Sequence, residues 1–396
     1  MNTTRTVALC FCVALFEGMD IIATGLTGPQ LREVFALSPE RFGQLGSAST
    51  FGLFLGAVAG GWIADRIGRK RVLIASMLVF GAMTLAITGA TSTTMLFTLR
   101  FLTGLGLGGA MPNLIALCAE SGPARLRTTL VTLMFSGVPI GGAIGGAVML
   151  WGGGNVDWRI LFQYGGAGPL VLAAVLAFLL PESTLFQAAR AERGPGIFTT
   201  LFGGGRALST VYLALAFFCT LIAIYLLINW LPILLVGKGL TRPQAAMTMI
   251  LFNLASGVGA IILGRLMDVA SGKAVMVATY AGVIASLLGL MYAFRLDAPT
   301  VQLLGVTGAA AGFFVVGAQL VLYGMAPRYY PTPIRATGVG SCVAAGRVGS
   351  VVGPLVAGQM LGAGATAGAV VTSLIPFVVV AGISALLLVP RPTVAD

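Results

Sequence analysis

Apolar stretches, each long enough to cross a bilayer, recur from one end of the chain to the other. A hydrocarbon core of about 30 Å takes about 17–25 helical residues to span. Stretches of that length fall at 6–28, 43–64, 71–91, 94–118, 129–152, 158–180, 208–236, 242–267, 274–294, 299–326, 335–362 and 367–390. The pattern predicts an all-α membrane protein with twelve transmembrane helices. The longest polar interruption, 181–207, carries Glu182, Arg190, Glu192, Arg193, Gly194, Pro195 and Gly203–Gly205. It divides the chain into a six-helix bundle at 1–181, a cytoplasmic linker at 182–207 and a second six-helix bundle at 208–396. A short surface helix is expected around Thr184–Arg193. The first stretch contains Glu17 and Asp20 and is longer than a signal-peptide core, so no cleavable leader is expected.

The two halves repeat each other. Gly61 to Asp65, after the second stretch, matches Gly264 to Asp268, after the eighth, at an offset of 203 residues. Pro123, Arg127, Gly141 and Gly145 match Pro331, Arg335, Gly349 and Gly353 at an offset of 208. Repeated six-helix halves related by an axis along the membrane normal are a transporter architecture. Its substrate site is expected near the midplane between the halves.

Composition sharpens this picture. Hydrophobic residues make up 57% and charged residues 9%, against about 45–50% and about 25% in soluble domains. Glycine, 56 of 396 residues, suits helices whose backbones approach closely. The chain has no histidine, which excludes His-based catalysis, His metal sites and a Ser–His–Asp triad. Cys10, Cys12, Cys118, Cys219 and Cys342 have no metal-ligand spacing and read as small packing residues. No metal or organic cofactor is expected, only a proton as coupling ion.

The net charge of +11 follows topology. Fifteen Lys and Arg fall on the side of the two termini, among them Arg66, Arg69, Lys70, Arg71, Arg125, Arg127, Arg265, Arg328 and Arg335; six fall on the other side. The bias places both termini in the cytoplasm. It accounts for the basic balance without nucleic acid. A multi-pass protein of the bacterial inner membrane, monomeric in the lipid bilayer, is expected.

Charged residues inside the stretches are the candidate chemistry, because an ionisable group at membrane depth is functional by default. Glu17 and Asp20, three residues apart, share one helical face. Arg100 enters from the opposite side roughly 9 Å deep at 1.5 Å per residue, so a pair with either acid is geometrically allowed. The alternative is that Arg100 snorkels to the interface. Arg347 lies roughly 18 Å from its helix start, near the midplane. Its guanidinium can clamp a carboxylate with two bonds; otherwise it braces the bundle against a distant acid. Tyr225, Asn229 and Trp230 offer an aromatic wall with a polar handle, although a Trp near a helix end also reads as an interfacial anchor. Gln319 pairs two helices or holds a substrate, and Tyr323 is a further candidate. Gly61, Asp65, Arg66, Gly68 and Arg69 form a loop motif that permits a tight turn and an ionic cap.

The Gly61–Arg71 motif resembles the signature of the major facilitator superfamily, in which it gates alternating states without touching substrate. Glu17-Gly18-Met19-Asp20, Pro181-Glu182-Ser183, Trp230-Leu231-Pro232 and Gly346-Arg347-Val348-Gly349 resemble that superfamily's aromatic acid/proton symporters. Pro112–Leu117, Gly137–Gly141 and Tyr323–Arg328 are most similar to its 3-(3-hydroxyphenyl)propionate transporters. Many relatives begin the first motif with Asp where this chain has Glu17. The resemblance implies import of an aromatic carboxylate with a proton, with functional acids at Glu17 and Asp20 and functional arginines at Arg100 and Arg347. A competing reading is antiport of a drug or metabolite, since Gly137-x-Pro139-x-Gly141-Gly142 resembles an antiporter motif. A membrane sensor or enzyme finds little support in a chain with twelve acids and no histidine.

Overall fold

A computed structural model describes residues 2–123, 126–151, 156–180, 201–331 and 334–388. Among them, twelve helices are long and apolar enough to cross a membrane. The first six are α1 (Thr3–Val34), α2 (Pro39–Ile67), α3 (Arg69–Ile87), α4 (Thr93–Glu120), α5 (Arg127–Phe135 continued by Gly137–Trp151) and α6 (Trp158–Leu179). The second six are α7 (Ala207–Gly237), α8 (Arg242–Val269), α9 (Gly272–Arg295), α10 (Val301–Ala311, then a π-helical turn Gly312–Val316, then Gly317–Met325), α11 (Arg335–Gly362) and α12 (Ala367–Thr372 continued by Leu374–Leu388). The chain packs as two compact units, Met1–Glu192 and Arg193–Asp396. The surface helix expected at Thr184–Arg193 lies outside the described residues.

Helix ends follow local chemistry. Ser38 accepts from the Arg41 N–H and Pro39 opens α2, as suits a first turn. Ser92 and Thr300 cap α4 and α10 in the same way. Thr241 and Gln244 form a capping box at α8. Between α2 and α3 the chain turns at Gly68, whose φ of 107° is open to glycine and strained for other residues.

Inside each unit, glycines set which helices touch. A side chain at Gly104 would strike the Ser49 backbone, and one at Gly56 the Leu105 carbonyl, so α2 and α4 meet backbone to backbone. Gly141 likewise meets the Leu15 carbonyl and Gly18 the Val138 carbonyl, which joins α1 to α5. The second unit pairs α8 with α10 and α7 with α11 by the same device. Gly312 lies on Phe252, Gly259 on Phe313, Gly349 on Phe218 and Gly353 on Ile222. Such contacts let dispersion forces act where lipid offers no hydrophobic drive. Phe178, 87% exposed, and Trp151 point away from the packing, as suits a lipid-facing surface.

Candidate functional site

The first unit holds a buried ion pair. Arg100 Nη1 on α4 donates to Asp20 Oδ1 on α1 at 2.8 Å, with the two side chains 3% and 1% exposed. The snorkelling alternative is therefore corrected: a side chain with that little exposure reaches no interface. Of the two acids expected to meet Arg100, Asp20 does so; Glu17, one turn earlier, is equally buried. The local sequence explains the arrangement. Gly18 sits between the acids and lets α5 press against α1, so both carboxylates turn elsewhere. Gly104 and Gly108 seat α4 on α2, while Gly106 seats it on α3. The helix that carries Arg100 is thus wedged from two sides. The Phe162 ring on α6 lies 5.8 Å from the guanidinium carbon, within reach of a cation–π attraction. Arg100 Nε and Thr24 Oγ1 are buried without a hydrogen-bond partner. Thr24 and Phe162 were not singled out in the sequence; the one available signal was Thr24's position one turn beyond Asp20. Removing one member of a buried pair costs about 3–5 kcal/mol, since the other charge is stranded.

The second unit holds its cation differently. Arg347 Nη1 on α11 donates to the Tyr225 hydroxyl on α7 at 2.9 Å. Gly346 leaves space that Phe217 and Leu221 fill, and Gly349 brings the α7 backbone alongside, so α7 and α11 run in contact at this level. The helices of this unit carry one acid, Asp268 in the last turn of α8; Asp297 falls in the loop after α9. Ser350 Oγ donates back to the Arg347 carbonyl at 2.6 Å.

The remaining candidates separate. Trp230 is fully buried, and its indole N–H donates to the Pro354 carbonyl on α11 at 3.0 Å. The interfacial-anchor alternative is corrected, because the ring has no lipid- or water-facing surface. Asn229 donates its amide to the Tyr225 carbonyl one turn back, at 2.8 Å. Tyr323 on α10 is half-buried, its ring centroid 5.2 Å from that of Phe217. Gln319, one turn before Tyr323, is 5% exposed.

The loop motif ties the end of the first unit together. Arg69 pairs with Glu120 at the end of α4, and Lys70 donates to the Ala177 carbonyl of α6 at 2.8 Å. The Arg66 guanidinium carbon lies 3.2 Å from the Trp62 ring centroid. Gly61 meets nothing where a Cβ would stand. The side chain of Asp65 lies outside the described residues.

A twelve-span scaffold of two units built on one packing plan, with charge buried at membrane depth, is that of a multi-pass membrane transporter. The profile of the Major Facilitator Superfamily matches residues 10–304 and 213–396, and the chain belongs to that superfamily. It is 41% identical over 386 residues to the 3-(3-hydroxy-phenyl)propionate transporter of Escherichia coli (strain K12), covering 98% of this chain and 94% of that one. It is 37% identical to the gallate transporter of Pseudomonas putida, over 90% of this chain and 85% of the relative. Identity to the 4-hydroxybenzoate transporter of Pseudomonas putida is 35%, over 94% and 89%. A crystal structure of a D-xylose-proton symporter shares the fold, with a TM-score of 0.81 at 18% identity, covering 100% of this chain and 98% of that one.

Proposed function

We propose that the protein imports an aromatic carboxylic acid together with a proton, by alternating access across the bacterial inner membrane, with both termini cytoplasmic. The substrate is 3-(3-hydroxyphenyl)propionate or a similar phenylpropanoid or benzoate. Arg347 carries this reading: a mid-helix guanidinium on α11, to which the Tyr225 hydroxyl of α7 is bonded at 2.9 Å. A planar guanidinium at that depth suits an incoming carboxylate, which it can hold with two charge-assisted bonds. The names of three relatives agree, since each relative is named for a hydroxylated aromatic acid. Asp20 is the proposed proton carrier, with Arg100 setting its charge balance and Glu17 as the second acid.

The antiport reading rests on the glycine–proline run of α5. Gly137 and Gly141 of that run are accounted for as packing against Phe11 and Leu15, and Gly349 repeats the role of Gly141 on α11. The test is uptake of labelled aromatic acids into proteoliposomes under an imposed pH gradient. Symport predicts accumulation that follows an inward proton gradient and collapses with a protonophore. Gradient-independent uptake, or exchange of the acid against an outward proton flow, contradicts it.

A further inference from the structure

Five buried amide side chains are described, and four of them are spent. Asn113, Asn229 and Asn253 each donate to the carbonyl one turn back in their own helix. Gln30 donates to the Val156 carbonyl and accepts from the Trp158 N–H. Gln319 is the exception: it is 5% exposed, and both Oε1 and Nε2 are buried without a hydrogen-bond partner. An amide enclosed with neither end satisfied is costly, so a group from outside the bundle is expected to complete it.

Its surroundings indicate what that group is. Gly317 lies against Gly259 and Leu263 of α8. Gln319, two positions on, is turned by about 200° from that face. Tyr323, one turn later, shares its side of the helix and meets the Phe217 ring of α7. Phe217 lies by its Cβ against Gly346 of α11, while the Arg347 guanidinium meets Tyr225, eight residues further along α7. Within one unit, α10 with Gln319 and Tyr323 meets α7, and α7 meets α11 with the guanidinium. The π-helical turn Gly312–Val316 falls directly before this segment, whereas α4, its counterpart in the first unit, is continuous. Wide turns of this kind interrupt the regular ladder and concentrate at functional sites.

We propose that Gln319 is the specificity-determining residue for a ring hydroxyl, so that the site takes hydroxylated aromatic acids in preference to unsubstituted ones. This rests on the reading that Arg347 holds the carboxylate. The chemistry is selective: a second carboxylate would satisfy only Nε2, whereas a phenol both donates to Oε1 and accepts from Nε2. A site built to bond a hydroxyl rejects the analogue lacking it, because the amide is then left unpaired.

The experiment is equilibrium binding to the purified full-length protein of two matched probes, 3-(3-hydroxyphenyl)propionate and 3-phenylpropionate. The wild type is expected to favour the hydroxylated acid by about tenfold or more. Gln319→Met, close in volume but without the amide, is expected to bring the ratio within about threefold by weakening only the hydroxylated acid. A wild type that binds both equally overturns the proposal without any variant. So does an unchanged ratio in folded Gln319→Met, or an equal loss of both acids. Arg347→Ala separates the two readings: it is expected to weaken both acids alike. Unaltered affinity there overturns the carboxylate assignment alone, while the Gln319 ratio still reports on the hydroxyl.

Discussion

The two units share a packing plan and do not share their chemistry. Gly56 on Leu105 reappears as Gly259 on Phe313, Gly104 on Ser49 as Gly312 on Phe252, and Gly141 on Leu15 as Gly349 on Phe218. Each pair is related by the offsets already visible in the loop motifs, 203 residues for one helix and 208 for the other. The polar residues break the correspondence. By the same offsets Asp20 and Arg100 fall on Ala223 and Gly308, while Arg347, Tyr225 and Gln319 fall on Pro139, Ile22 and Met111. These repeated contacts hold backbones together and leave no room for an added side chain. The unrepeated part is where charge sits at membrane depth. One unit has a carboxylate–guanidinium pair; the other has a guanidinium on a hydroxyl. This division is the physical basis for assigning proton and carboxylate to different units.

Substitutions can break that contrast or sharpen it. The largest effect is expected for Asp20→Asn, which removes the exchangeable proton and should abolish uptake driven by a pH gradient in proteoliposomes. Full gradient-driven accumulation by this variant would transfer the role to Glu17. Arg347→Ala comes next. Truncating one side of a buried charge contact costs about 2–5 kcal/mol, or roughly 30-fold to several thousand-fold in affinity for the acid. Arg347→Lys should fail as well, since an ammonium lacks the planar fork.

A matched pair tests the repeated scaffold. Gly104→Leu and Gly312→Leu each drive a side chain into the facing backbone, and each should destabilise the folded protein by about 1–3 kcal/mol, read as lowered melting temperatures of similar size. Only one of the two melting would show that the packing plan is not shared. The smallest effect is expected for Tyr225→Phe, which removes the hydroxyl beneath Arg347. About 1 kcal/mol, or roughly fivefold in affinity, should be lost with folding intact.

The sequence made the scaffold legible because span length and glycine spacing are local properties. The eleventh stretch, 335–362, coincides with the helix Arg335–Gly362. The first helix runs further than the apolar stretch at 6–28, to Thr3–Val34, because Gln30, Arg32 and Glu33 continue it beyond the apolar run. The site was legible by residue and less so by pairing. Spacing put Glu17 and Asp20 on one face, yet the contact of Asp20 with Arg100 depends on how α1 meets α4, 80 positions away in the chain. Trp230 before Pro232 has the local signature of an interfacial anchor. Its burial follows from the Pro354 carbonyl, 124 positions away. Tyr225 and Arg347 were both candidates, and their contact depends on the close approach at Gly349. The π-helical turn before Gln319 has no signature in a run as uniformly apolar as Gly312–Val316.

The central claim is that proton and carboxylate are handled by different units, and one comparison tests it most directly. Purified Asp20→Asn and Arg347→Ala proteins are titrated side by side with 3-(3-hydroxyphenyl)propionate at several pH values. The same two variants are then assayed for gradient-driven uptake. The account predicts that Asp20→Asn still binds the acid, with a weakened dependence on pH and no accumulation, whereas Arg347→Ala loses the binding itself at every pH. Loss of binding in Asp20→Asn as severe as in Arg347→Ala, or near-normal binding in a folded Arg347→Ala protein, would contradict it.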